Sequence, residues 1–330
     1  MNPVKTFLRI QKDPAYLLKN YLLDLFMTLT LIVVLKNILS SSWDLSSAQM
    51  IFLTPFAMIW GCLIASFLHN ASHANVGGNL LNRMVGEFCG AWVLYGYSNF
   101  IMIHHLHHRY SDEKHDPVHP GEMNFLVFLS APMRYMIVAT KGWLRERHGH
   151  EEKYETLMEA QTVIFHINLV LKIVLWHTVF GTDLFLAFYV PALLANYGIL
   201  AHINYVCHRE NEDGSVEIVN LNHNLYYRFA NFITFGGYYH KNHHLRLNVF
   251  NPMKMESARA EERLFTIGPQ RLPYRIYKTD NVLKNYFDLQ VWGEARKSGK
   301  RSGDRRVFNV PCEVMGLPER RLHHDRRRGF

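Results

Sequence analysis

Three groups of histidines stand out in this sequence: His69-Asn-Ala-Ser-His73, His104-His105-Leu-His107-His108 and His240-Lys-Asn-His243-His244. At the frequency set by 20 histidines in 330 residues, random placement gives about 0.07 copies of H-x-x-H-H. The chain has two, at 104/107/108 and 240/243/244. Neutral imidazole is the commonest side-chain metal ligand. On a helix, residues three or four apart project from one face, so each group presents its rings together. His69, His73 and the three histidines of each H-x-x-H-H make eight, more than one ion uses, and two ions with about four or five nitrogens each is the natural reading.

A ninth ligand is expected where an apolar run ends in Asn204-Tyr-Val-Cys-His208. His208 leaves that run on the side of His69 and His73, which favours it over His202. His223, in a polar segment, is a weaker rival. Asn204, one turn before His208, is placed to hold a metal-bound water. His105, His115 and His119 border the second group, as second-shell or merely interfacial residues. His148, His150, His323 and His324 lie in charged segments and read as exposed. His166 and His177 lie in an apolar run and read as satisfied within a bundle.

Apolar runs must position these groups. Residues 21–39, 49–68, 161–180 and 183–205 are each about long enough to cross a bilayer core of ~30 Å. Of 36 Lys and Arg, only Lys36 and Lys172 lie within them. The expected fold is therefore an all-α integral membrane protein of four transmembrane helices in two hairpins, with both termini cytoplasmic and a cytoplasmic helical cap carrying a di-metal histidine site. The first run has no cleavage site after it and reads as an anchor, not a removed signal. Residues 84–103 and 123–140 are apolar but interrupted, the first by Gly86, Glu87, Gly90 and Gly96, the second by Pro132 and Arg134. If 84–103 crossed the bilayer, His69 and His104 would lie on opposite sides, so that run is expected to lie along or dip into the interface; 123–140 is likewise expected as an interfacial helix. The organisation expected is an N-terminal cytoplasmic segment 1–20, a catalytic domain 21–252 and a basic cytoplasmic region 253–330. Asp213-Gly214 marks a turn.

Composition narrows the classes further. Aromatics at 13% exclude disorder over most of the chain. Four cysteines, Cys62, Cys89, Cys207 and Cys312, with no C-x-x-C pair, exclude a disulfide framework or a rubredoxin module. Zinc in a structural site would use four ligands, commonly with cysteine. Nine histidines beside an apolar interior point instead to an alkyl-chain substrate, whose C–H bonds need a strong oxidant such as O2 activated at paired irons.

The three groups and two hairpins resemble the integral-membrane fatty acid desaturase and hydroxylase superfamily, over about residues 21–252. The resemblance implies two irons held by His69, His73, His104, His107, His108, His240, His243 and His244. Asn204 and His208 match the family's N-x-x-x-H element, the Asn acting through water. It also implies O2, a fatty acyl substrate (free, or linked to CoA, a carrier or a lipid) and an external electron donor such as ferredoxin, cytochrome b5 or rubredoxin with its reductase. The first group has three spacer residues, unlike the four of the acyl-CoA delta-9 class. The third begins with His240, not the Gln of front-end desaturases. Asn204 to His208 also looks like an alkane-hydroxylase element, with Cys207 where Glu stands there. Desaturation is the leading reading; hydroxylation and terminal-alkene-forming decarboxylation share its first hydrogen abstraction. His119-Pro-Gly-Glu122 is only a partial match to a cytochrome b5 haem element. The net charge of +8 suits an acidic donor, anionic acyl groups and membrane lipids; nothing beyond a terminal arginine cluster suggests nucleic acid. The rival from another class is a membrane metal transporter, which would place its ligands at mid-membrane in broken helices.

Overall fold

A computed structural model describes residues 3–38, 44–112, 116–120, 125–210 and 216–255. His115, the Asp213-Gly214 turn, Cys312, His323, His324 and all of the basic region beyond residue 255 lie outside the described residues. The described chain is mostly helical: α1 (Pro3–Lys12), α2 (Pro14–Ile38), α3 (Ser47–Ser72), α4 (Asn79–Trp92), α5 (Tyr97–Tyr110), α6 (Phe125–His148), α7 (Glu152–Leu184), a π-helical turn Phe185–Tyr189, α8 (Val190–Cys207), α9 (Leu225–Ile233) and α10 (His240–Leu245).

Among the described residues three segments are long and apolar enough to cross a membrane: Pro14–Asn37, Ser47–Ser72 and Glu152–Cys207. They contain the four expected runs, except residues 38 and 39, of which the second lies outside the described residues. The third segment holds two of these runs and is interrupted at Gly181, where φ is 68° and ψ 171°. Along an unbroken helix Trp176 and Tyr189 would stand about 20 Å apart. Their rings instead stack at 5.4 Å, so the chain doubles back there. A glycine suits that reversal because the left-handed region costs it little. The backbone N–H of Leu45 donates to Asp183 at 3.2 Å, tying the approach to α3 to the same end. Phe52, Phe56, Val163, Val170, Val174 and Leu194 point outward and are exposed, an apolar periphery that suits lipid and not water.

Two expectations need correction. Residues 84–103 do not form one helix: α4 ends at Trp92, and α5 begins at Tyr97 after Gly96, whose φ is 74°. Together they make a helical hairpin packed against α2, α3 and the third apolar segment. The sequence conceals this because the groups that satisfy its tip come from elsewhere in the chain. The fold is also not purely helical. His208–Glu210 pairs antiparallel with Val216–Ile218, His208 opposite Ile218. This short ribbon turns the chain out of α8 and brings it back across the histidines. The expected 123–140 helix starts, within the described residues, at Phe125 and runs on to His148.

Candidate metal centre

The angular arithmetic of a helix explains how three histidine groups make two clusters. Residues i and i+4 differ by about 40° in direction, while i+3 lies about 60° to the other side. His104 and His108 therefore face one way from α5 and His107 another. On α10, His240 and His244 face one way and His243 another. The two helices meet reciprocally. His104, His108 and His243 join His69 and His73 from the end of α3, and His107 joins His240, His244 and His208. Within each cluster the ligand nitrogens all lie within 4.8 Å of one another.

In the first cluster the Nε2 atoms form a chain: His73 to His104 at 2.7 Å, His104 to His108 at 3.1 Å, His108 to His243 at 3.1 Å and His243 to His69 at 3.1 Å. In the second, His208 Nε2 lies 3.0 Å from His240 Nε2, which lies 3.1 Å from His244 Nε2. His107 Nε2 is buried with no hydrogen-bond partner. Ligands about 2.1 Å from one ion stand about 3.0–3.4 Å apart, and five of these six spacings fall in that range, the His73–His104 pair being closer.

The proton positions point the same way. His107 Nδ1 lies 2.8 Å from Asp116 Oδ2, and His208 Nδ1 lies 2.6 Å from Asp112 Oδ1. Each Nδ1–H donates to its carboxylate, leaving a bare lone pair on Nε2 directed into the cluster. A buried lone pair without a partner is costly, and a cation between the rings removes that cost. Burial, reinforced by neighbouring imidazoles, pushes His73, His104, His108, His240, His243 and His244 well below the ordinary histidine range. They are neutral at pH 7 and fit to bind metal. For His107 burial disfavours the charged form, but the Asp116 carboxylate outweighs it and holds the ring above its usual value.

Surrounding elements fix the ligands. The third group is pinned by paired asparagines: Asn242 N–H donates to Asn220 Oδ1 at 3.2 Å, and Asn220 Nδ2 donates to Asn242 Oδ1 at 3.1 Å. Asn242 Nδ2 also donates to the Pro252 carbonyl at 3.2 Å. His105 stays outside both clusters. Its Nε2 donates to the Ser72 carbonyl at 3.0 Å, and its ring stacks on Phe7. It thus steadies the residue next to His73.

Of the three rivals for the ninth ligand, the structure brings His208 into a cluster and not His202 or His223. The helix α8 ends at Cys207, and the turn into the ribbon swings His208 inward. His202, one and a half turns earlier, instead bonds Tyr238 Oη through Nδ1 at 2.6 Å. His223 packs against Tyr227. Asp112, Asp116, Asn220 and Asn242 escaped the sequence reading. The signal that could have found the first two was the carboxylates just beyond the second group, since imidazole ligands commonly donate to such partners.

Asn204 Nδ2 donates to the Leu200 carbonyl at 2.8 Å, while its Oδ1 is buried without a partner. That oxygen belongs to a residue lining a cavity of about 1060 Å³, counted to its open mouth. His69, His104, His240 and His243 line it together with apolar side chains such as Ile103, Phe128, Ile199 and Leu200. Tyr95 and Tyr197 also line it, with their rings 5.3 Å apart. Tyr95 Oη is held by Asn196 Oδ1 at 3.0 Å.

With this geometry in place, the family assignment follows. A family model for fatty acid desaturase matches residues 46–249, and the chain belongs to that family. The match lies within the catalytic domain expected over 21–252. No curated protein and no solved structure matches the chain significantly. Family, apolar helices and histidine clusters together make this an integral membrane protein of the desaturase-like oxidoreductase class.

Proposed function

We propose that this chain is an O2-dependent di-iron fatty acid desaturase that introduces a carbon–carbon double bond into an acyl chain. The observation that carries the reading is the pair of histidine clusters, nine imidazoles in all, four of which line a largely apolar cavity. His69, His73, His104, His108 and His243 would hold one iron, and His107, His208, His240 and His244 the other. Bound there, the irons would draw on O2 and external electrons to supply the oxidising power that removal of hydrogen from an unactivated methylene requires.

The protein's own residues do the rest. The apolar lining binds the chain by burial and excludes water. Tyr95 and Tyr197, held through Asn196, bound the chain's path, and Asn204 Oδ1 holds a water beside the clusters. Asp116 and Asp112 keep His107 and His208 in the tautomer that presents Nε2. We read the arms on either side of Gly181 as separate spans, giving four in two hairpins. The ring stacking across that reversal and the scarcity of Lys and Arg in the runs support this, and the basic remainder favours a cytoplasmic position for both termini. An external ferredoxin, cytochrome b5 or rubredoxin would supply electrons.

The test is metal content of the detergent-purified, iron-supplied protein by mass spectrometry, beside His107→Ala. Close to two irons per chain, reduced in the variant, followed by acyl products lighter by two hydrogens, supports the proposal. Products heavier by one oxygen, or lacking the carboxyl, would turn it to hydroxylation or decarboxylation. Absence of bound metal would overturn it.

A further inference from the structure

The centre of the bundle holds a second buried polar cluster that the metal site does not use. Lys172 on α7 and Asp24 on α2 are both fully enclosed, with Nζ to Oδ2 at 3.1 Å. Asn168 Nδ2 also donates to that carboxylate. Ionisable residues inside an apolar segment are expensive and call for a reason.

The reason is visible at the tip of the α4–α5 hairpin. A helix leaves its last four carbonyls without partners, and at membrane depth no water can take them. Four consecutive carbonyls close α4, those of its last three residues and of the capping Val93, and each has a side-chain donor. Lys172 Nζ donates to Gly90 O at 2.7 Å and to Val93 O at 3.0 Å. Trp176 Nε1 donates to Ala91 O at 3.3 Å. Tyr189 Oη donates to Trp92 O at 3.0 Å. The carbonyl before them, on Cys89, is taken by the Val93 N–H at 3.1 Å. On the other side of the tip Asp24 lies so close to Gly96, the residue capping the start of α5, that a Cβ there would collide with its carboxylate. The cation thus sits at the negative end of α4 and the anion at the positive end of α5, the favourable arrangement for both helix dipoles.

We propose that the Asp24–Lys172 pair sets the depth of the α4–α5 hairpin and thereby the height at which α5 presents His104, His107 and His108. These are positioning residues. From Gly96 to His104 is about 12 Å of helix, so a displaced tip is transmitted directly to ligands of both clusters. What the depth serves rests on the metal reading above; the seating of the hairpin does not.

Cys89 on α4 reports that seating. It is 2% exposed, and Cys62 on α3 and Cys207 on α8 are also buried, outside the hairpin. The experiment is N-ethylmaleimide labelling of the iron-supplied full chain in detergent, read cysteine by cysteine by peptide mass spectrometry, with iron per chain measured on the same samples. The variants are Lys172→Met and the double variant Asp24→Asn/Lys172→Met. The double variant leaves no unpaired charge, and it carries the comparison if the single one fails to fold. The expected result is labelling of Cys89 at least about tenfold faster, with Cys62 and Cys207 unchanged and iron retention falling below wild type. Unchanged Cys89, or all three thiols rising together, overturns the proposal. Fast Cys89 with full iron retention overturns the link to the ligands. A wild type without metal is a failure of the proposed function alone, because the labelling comparison still judges the hairpin.

Discussion

The two histidine clusters share α5 and α10 yet differ in what orients their rings. The four-histidine cluster is backed by charge, with His107 and His208 each donating to a carboxylate. In the five-histidine cluster no ring is bonded to a carboxylate among the described residues. Packing orients it instead: Phe100 stacks on His104 at 5.1 Å with 19° between the planes. His69, His104 and His243 from this cluster line the cavity, together with only His240 from the other. A carboxylate along an acyl-binding surface would have to be desolvated at high cost. The carboxylate acceptors therefore stand behind ligands that do not line the cavity, and the cavity surface at the clusters remains neutral.

The largest expected effect tests whether the clusters act as one centre. His107→Ala and His104→Ala remove one ligand from opposite clusters. Each should lower desaturation by more than the ~10–100-fold typical of an outer partner, although each leaves the other cluster intact. Retention of most activity in either variant, measured by product mass, would break the pairing.

Acid should act on both clusters in the metal-free protein, unequally. The six histidines held well below the ordinary range bind protons more readily unfolded than folded. Their contribution to stability is present above about pH 6.5 and is lost as pH falls below it, by up to ~1.4 kcal/mol per pH unit for each proton involved. His107, held above its usual value, has the opposite sign: its contribution is complete below about pH 6.5 and is lost as pH rises through its folded value. Six groups outweigh one, so thermal melting of the metal-free protein should occur at lower temperature at pH 5.5 than at 7.5. Equal melting temperatures would show that the rings are not buried neutral.

Next in size, Asp116→Ala should weaken metal binding at the four-histidine cluster by ~10–100-fold, with the five-histidine cluster unaffected. Asp112→Ala should do less, since its side chain is 13% exposed while that of Asp116 is fully buried and water can replace part of what is lost. Cobalt titration followed by absorbance would show one phase moving. Both phases moving equally would erase the distinction between the clusters.

What could be read beforehand follows the range over which a residue's role is decided. The histidine groups were legible because a helix fixes their relative directions within one turn. The same angles already contain the division of His104 and His108 from His107, although only the meeting of α5 with α10 reveals what each direction faces. His208 over His202 depended on where α8 stops, a boundary set by the ribbon that follows. Asp112 and Asp116 stand a few residues past the second group, but the loop that folds them back onto His208 and His107 has no sequence period. The break at Gly96 was least legible. Its carbonyls are satisfied by Lys172, Trp176 and Tyr189, some 80–100 residues further along the chain, and Lys172 read simply as one of two cations inside the spans.

The smallest effect sharpens the comparison most, because it concerns the cluster that packing orients. Phe100→Leu keeps an apolar residue of similar reach beside His104 but removes the stacked face. Aromatic pairs of this kind contribute about 0.5–1.5 kcal/mol beyond burial, equivalent to roughly a 2–10-fold loss of metal affinity. That loss should fall on the five-histidine phase of the cobalt titration and leave the other phase in place, the mirror image of Asp116→Ala. If Phe100→Leu shifts the four-histidine phase instead, ring orientation is shared through α5 as a whole, and the clusters differ in charge but not in how they are held.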